Sequence, residues 1–163
     1  MPTNLRILGI DPGFDRLGFG VIQQTGSKIA CLNYSCLQTS AKDDFTERLK
    51  ELRDEIARVI KKYQPEVVAI EHLFFQTNVK TAIKVGMARG VILLAIADAG
   101  LPLVELTPNQ VKQGITGYGA ADKKQIQRMV QRLLNLKELP KPDDAADALA
   151  IAIVGAGVYR KSL

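Results

Sequence analysis

Cysteine occurs only twice in this 163-residue chain, at Cys31 and Cys36. Two cysteines cannot build a disulfide framework, and neither has the histidine or cysteine neighbours of a zinc site. They read as plain thiols of a reducing compartment. Long apolar runs are missing too: no stretch approaches the ~20 uninterrupted apolar residues of a membrane span. The opening "MPTNLRILGI" has no basic segment, apolar segment or cleavage site, so neither export nor membrane attachment is expected, and the reading is cytoplasmic. Repeats, low-complexity tracts and linkers are absent as well. One domain over residues 1–163 is therefore expected, with 157–163 as a frayed tail; a chain of this size buries about two-thirds of its unfolded surface.

What is present is an excess of base, unevenly placed. Twenty-two lysines and arginines against 17 acids give a net charge of +5, which suits a polyanionic partner without proving one. Lys112, Lys123, Lys124, Arg128 and Arg132 cluster in the second half, and Lys80, Lys84 and Arg89 form a second group. Four acids, Asp11, Glu71, Asp144 and Asp147, stand instead in apolar surroundings.

Periodicity places these residues. Residues 5–10 read as a short buried strand, and 18–24 and 27–39 as two more, turning at Thr25-Gly26, an antiparallel meander. Residues 43–64 have the spacing of an amphipathic helix, capped by Asp43 or Asp44 and stopped by Pro65. "EVVAIE" (66–71) is a buried strand, 78–100 a long helix, and 102–106 a strand. Pro108 and Asp122 open two helices, and 143–158 forms a last one. The fold class is α/β with a mixed sheet. Strands near 66 and 102, each reached through a helix, should run parallel to the first, which brings the ends carrying Asp11 and Glu71 together.

Taken alone, Asp11 reads equally well as a turn aspartate before Pro-Gly. Glu71 leaves a fully apolar strand, and Asp147 lies inside a run of alanines where capping cannot explain it. Asp144 and Asp147 share a helix face, and so do Asp143 and Asp147; spacing leaves the choice between 143 and 144 open. Carboxylates gathered this way would repel by several kcal/mol per close pair at an effective dielectric of ~20. Divalent cations relieve that charge, and all-oxygen ligands select Mg²⁺ or Mn²⁺. A pair of such ions is the apparatus of in-line attack on a phosphodiester.

"GIDPG", "AIEHLFF", "ARGV", "QVKQ" and "DDAADALAIAI" together closely resemble the RuvC family of Holliday-junction resolvases, ribonuclease-H-like nucleases, over essentially the whole chain. The resemblance implies a five-stranded mixed sheet flanked by helices. It implies Asp11, Glu71, Asp144 and Asp147 as catalytic metal ligands, holding two Mg²⁺ per site with Mn²⁺ able to substitute. It gives Phe74 as an aromatic that stacks on unpaired bases, Phe75 being the packing residue of the pair. Lys112 and Lys123 match lysines near the scissile phosphate and DNA backbone, and Lys124, Lys80, Lys84 and Arg128 are further DNA-contact candidates. Arg89 and Gly90 read as packing or dimer residues, and His72 as a loop or buried histidine. The glycine-rich 114–122 lacks a Walker pattern and reads as a DNA-contacting loop. The implied partners are a four-way DNA junction, a second copy of the chain in a homodimer that uses the long helix, and a branch-migration motor of RuvA and RuvB type. A sugar-kinase or actin-like domain, a silent junction-binding module and an RNA-processing nuclease are the competing readings.

Overall fold

The computed structural model describes residues 4–72 and 78–161. Three strands form the antiparallel meander, β1 (Asn4–Asp11), β2 (Arg16–Thr25) and β3 (Lys28–Gln38). After α1 (Phe45–Tyr63), β4 (Val67–Glu71) pairs parallel to β1; after α2 (Val79–Asp98), β5 (Leu103–Leu106) pairs parallel to β4. The sheet order is β3-β2-β1-β4-β5. The helices α3 (Pro108–Thr116), α4 (Lys123–Leu133) and α5 (Asp143–Lys161) complete the chain.

Both faces of the sheet are covered, which is why the central strands read as continuous apolar runs rather than alternating ones. Alternation still sorts their side chains. Leu8, Ile10, Leu17, Phe19, Val68 and Ile70 face α1 and α2, with Leu52, Ile56 and Ile92 opposite them. Leu5, Ile7, Ile22, Val67 and Ala69 face α5, α3 and α4. Two-residue periodicity therefore places Asp11, in step with Ile7, and Glu71, in step with Val67 and Ala69, on the α5 face.

α5 lies unusually close to the strands. A methyl group on Gly9 would sit 2.1 Å from the Ala148 carbonyl oxygen, and one on Gly18 would sit 2.1 Å from that of Asp144. The glycines of β1 and β2 and the alanines of α5 allow backbone to rest on backbone.

Local signals mostly act where expected, with small displacements. The hairpin turn is Gly26-Ser27, with Gly26 at φ +61° supplying the left-handed residue. Asp44 occupies the N-cap position of α1 without a side-chain cap bond. Thr107 and Asp122 form capping boxes with Gln110 and Gln125 at α3 and α4. α5 runs to Lys161, and Tyr159 packs onto the α5-side core. Among the described residues no helix is long and apolar enough to cross a membrane.

Candidate active site

The β1–β4 ladder sets Ile10 opposite Ile70, so Asp11 and Glu71 leave adjacent parallel strands at the same edge. On its other side Asp11 pairs with Gly18 of β2, and the backbone of Asp144 rests against that glycine. The first turn of α5 is thereby held over the end of β1, and Asp147, one turn on, enters a cleft of about 300 Å³. That cleft is lined by Glu71, Asp147, Lys112 and Lys123 over an apolar floor that includes Val111, Ile126 and Ile151.

The carboxylates feel one another. Burial, then the charges of Asp147, Glu71 and Asp144, push the Asp11 carboxyl up to about 8, with Lys123 opposing. Glu71 is raised by burial first and by Asp147 next, while Lys112 and Lys123 pull it back. Asp147 is likewise raised, chiefly by burial, with Lys123 the main counterweight. Lys123 in turn is held above the usual lysine range, Asp147 being the largest cause.

The acids are not without counter-charges. Arg16 Nε lies 3.0 Å from Asp144 Oδ2, and Lys123 Nζ lies 3.7 Å from both Asp147 Oδ2 and Asp143 Oδ2. Among the described residues neither Asp11 nor Glu71 has an ion pair, and no three His, Cys, Asp or Glu groups are already gathered in a metal-holding arrangement. Two of the acids turn toward protein cations. The donor set nonetheless fits a hard divalent ion: it is all oxygen, and the mutual repulsion that raises Asp11 is what a cation relieves. Between the two candidates for the third acid, Asp144 is the more enclosed (28% exposed, against 61% for Asp143). Asp144 acts on Asp11, whereas Asp143 accepts a hydrogen bond from Gln127 at 2.9 Å.

Glu71, Asp147, Lys112 and Lys123 thus line one cleft, and Asp11 feels Asp147, Glu71, Asp144 and Lys123 from beside it. Lys124, Lys80 and Lys84 are exposed and do not line the cleft; the Lys84 ammonium stands 5.9 Å from the Phe14 ring on the α1–α2 side. Arg128 belongs to a separate groove of about 340 Å³ with Tyr118 and Arg132. Phe74 and Phe75 lie outside the described residues. Of the supposed loop 114–122, residues 114–116 belong to α3, where Gly114 lets Val154 of α5 approach. Arg16 and Arg89 were both undervalued by sequence reasoning: Arg16 pairs with Asp144, and Arg89 donates to the Glu71 carbonyl. No spacing rule links either to its partner.

Comparison with known proteins gives the family. The family profile described as "Crossover junction endodeoxyribonuclease RuvC" matches residues 7–155. The chain belongs to the RuvC family. A RuvC crossover junction endodeoxyribonuclease of Thermosipho melanesiensis is 53% identical over 148 residues, covering 91% of this chain and 94% of the relative. One of Desulfitobacterium hafniense is 56% identical over 147 residues, covering 90% and 89%. Thermus thermophilus RuvC, solved in complex with Holliday junction substrate, superposes with a TM-score of 0.92 at 38% identity, covering 97% and 96% of the two chains. Membership in the RuvC family makes the chain a crossover junction endodeoxyribonuclease, a nuclease of DNA recombination.

Proposed function

We propose that the chain, working as a single cytoplasmic domain within a homodimer, resolves a four-way DNA junction by two symmetric nicks, leaving 5′-phosphate and 3′-hydroxyl ends. Asp11, Glu71, Asp144 and Asp147 would hold two Mg²⁺ ions (or Mn²⁺), whose chemistry would be to offset charge on the reacting phosphate and to lower the pKa of water so that hydroxide is available as the nucleophile. The single observation that carries this is the convergence of Asp11 and Glu71 under the first turns of α5, with Asp11 raised to about 8 by burial and its acidic neighbours.

The chain's own cations have separable roles. Lys112 faces the cleft beside Glu71 and is placed to donate to a phosphate oxygen as negative charge develops there. Lys123 and Arg16 stand against Asp147 and Asp144, which limits the repulsion among the acids. Lys124, Lys80, Lys84, Arg128 and Phe74 extend the DNA-contact surface in this proposal, Phe74 by stacking at about 1–3 kcal/mol per base. For the dimer, α2 offers Val79, Ile83, Met87 and Leu94, all exposed, as the apolar row for a second copy related by a two-fold axis. A motor of RuvA and RuvB type is proposed on resemblance alone.

The deciding experiment sets a four-way junction, a duplex, a flap and a structured RNA side by side, with Mg²⁺ and with EDTA. Paired nicks in the junction alone, abolished by EDTA and by Asp11→Asn, are expected. Asp11→Asn cutting at the parental rate with Mg²⁺ would defeat the metal reading.

A further inference from the structure

We propose that Arg89 is a positioning residue for Glu71, fixing from α2 the backbone on which this acid is carried. The inference rests on the reading of Glu71 as an active-site acid. The β1–β4 ladder ends at Ile10 and Ile70, so Glu71 stands one residue past the last registered pair with β1. Its neighbour His72 is fastened to β5 by a backbone bond to Leu106 O at 2.6 Å. The carbonyl of Glu71 itself is taken by a side chain: Arg89 Nη1 donates to it at 2.6 Å. The second arm of the same guanidinium, Nη2, donates to Glu105 Oε2 at 2.6 Å, and His72 Nδ1 lies 3.2 Å from that oxygen.

The Arg89 side chain is only 13% exposed, so its bond to the Glu71 carbonyl is sheltered from water, whereas the Glu105 arm lies at the surface. A rigid planar fork meets two acceptors on different strands, the Glu71 peptide on β4 and the Glu105 carboxylate on β5. Lysine, a single ammonium on a flexible stem, cannot hold both in one geometry. Glu71 is paired with Leu106 of β5 alone at this point, and the brace adds a second tie that sets the position from which the Glu71 carboxylate reaches the cleft.

The test compares Arg89→Met, Arg89→Lys and, as control, Glu71→Gln. Single-turnover cleavage of a synthetic junction is measured at saturating enzyme and Mg²⁺, with junction affinity in EDTA, melting temperature, and calorimetric Mn²⁺ titration of the free protein. A displacement near 1 Å predicts a rate loss of about thirtyfold or more in Arg89→Met. Junction affinity should stay within about twofold, because the ladder and α5 still shape the surface. Mn²⁺ binding should weaken, and Arg89→Lys should fall between parent and Arg89→Met in both rate and Mn²⁺ affinity. If Arg89→Met does not fold, Arg89→Lys decides by the same readouts. Parental rate and Mn²⁺ affinity in the folded variants, or affinity for the junction falling as far as the rate, would overturn the inference. Glu71→Gln inactive beside a fully active Arg89→Met sinks the positioning role alone, whereas an active Glu71→Gln sinks the reading of the site.

Discussion

Replacing Asp11 by Asn should stabilise the metal-free protein while destroying its activity. The carboxyl is raised from 3.8 to about 8, and an acid whose folded pKa exceeds its unfolded value binds more protons folded than unfolded. Stability then falls as pH rises between those two values. At about 1.4 kcal/mol per unit, the penalty at pH 7.5 has a ceiling of about 5 kcal/mol relative to a group that cannot ionise. A buried amide in its place needs hydrogen-bond partners of its own, which removes about 2 kcal/mol of that gain. The remaining 2–3 kcal/mol corresponds to a melting temperature about 5–10 °C above the parent's for a domain of this size. The assay is calorimetry in EDTA from pH 8 to pH 4.5: the gap should be widest at the alkaline end, vanish a little above pH 5 and reverse by about 1 kcal/mol at pH 4.5. Adding Mn²⁺ should reverse the order, since the parent gains a ligand that the variant binds weakly. A variant melting at or below the parent in EDTA at pH 7.5, or a gap indifferent to acidification, would refute the reasoning.

Gly18→Ala sets a methyl group against the Asp144 carbonyl, where the obstacle is backbone; overpacking of about 1–3 kcal/mol and a cleavage loss of about a hundredfold are expected from melting and single-turnover assays. Arg48→Met removes a buried guanidinium that stacks 3.9 Å from the Phe14 centroid, donates to Thr39 Oγ1 at 3.0 Å and pairs with Asp15. Its denaturation midpoint should drop by the equivalent of about 2 kcal/mol at unchanged m-value. Junction affinity should fall with salt at a log–log slope near −5 if about six phosphates are contacted, and Lys124→Ala should lower that slope by about one in a gel-shift series.

The fold was legible because its signals are local or periodic. Apolar runs bounded by Pro65, Gly100 and Pro102 mark β4, the end of α2 and β5, and Asp122 caps its helix through its own side chain. The candidate acids were legible for a related reason: a carboxylate ending a wholly apolar strand contradicts its surroundings, and two such strands running parallel must deliver their ends together. The acids' counter-charges were not legible. Arg16 and Lys123 meet Asp144 and Asp147 only through the tertiary approach of β2, α4 and α5, and a salt bridge leaves no period in the chain. Arg89 is hidden more deeply, because one of its partners is a peptide carbonyl, which any residue type could supply. Asp44 shows the converse error: the residue type suits a cap, yet its side chain makes no cap bond.

The direct seating of α5 on β1 and β2 makes the two halves of the molecule unequal in tolerance. On the α1–α2 side, interlocking aliphatic chains can exchange volume among themselves, and drift there leaves the candidate site where it was. Where α5 crosses residues 9 and 18 there is no such cushion, since a single added carbon there collides with main chain. An engineer seeking a resolvase with altered junction preference should therefore diversify the outer layer and its loops, and leave the glycine–alanine seam untouched.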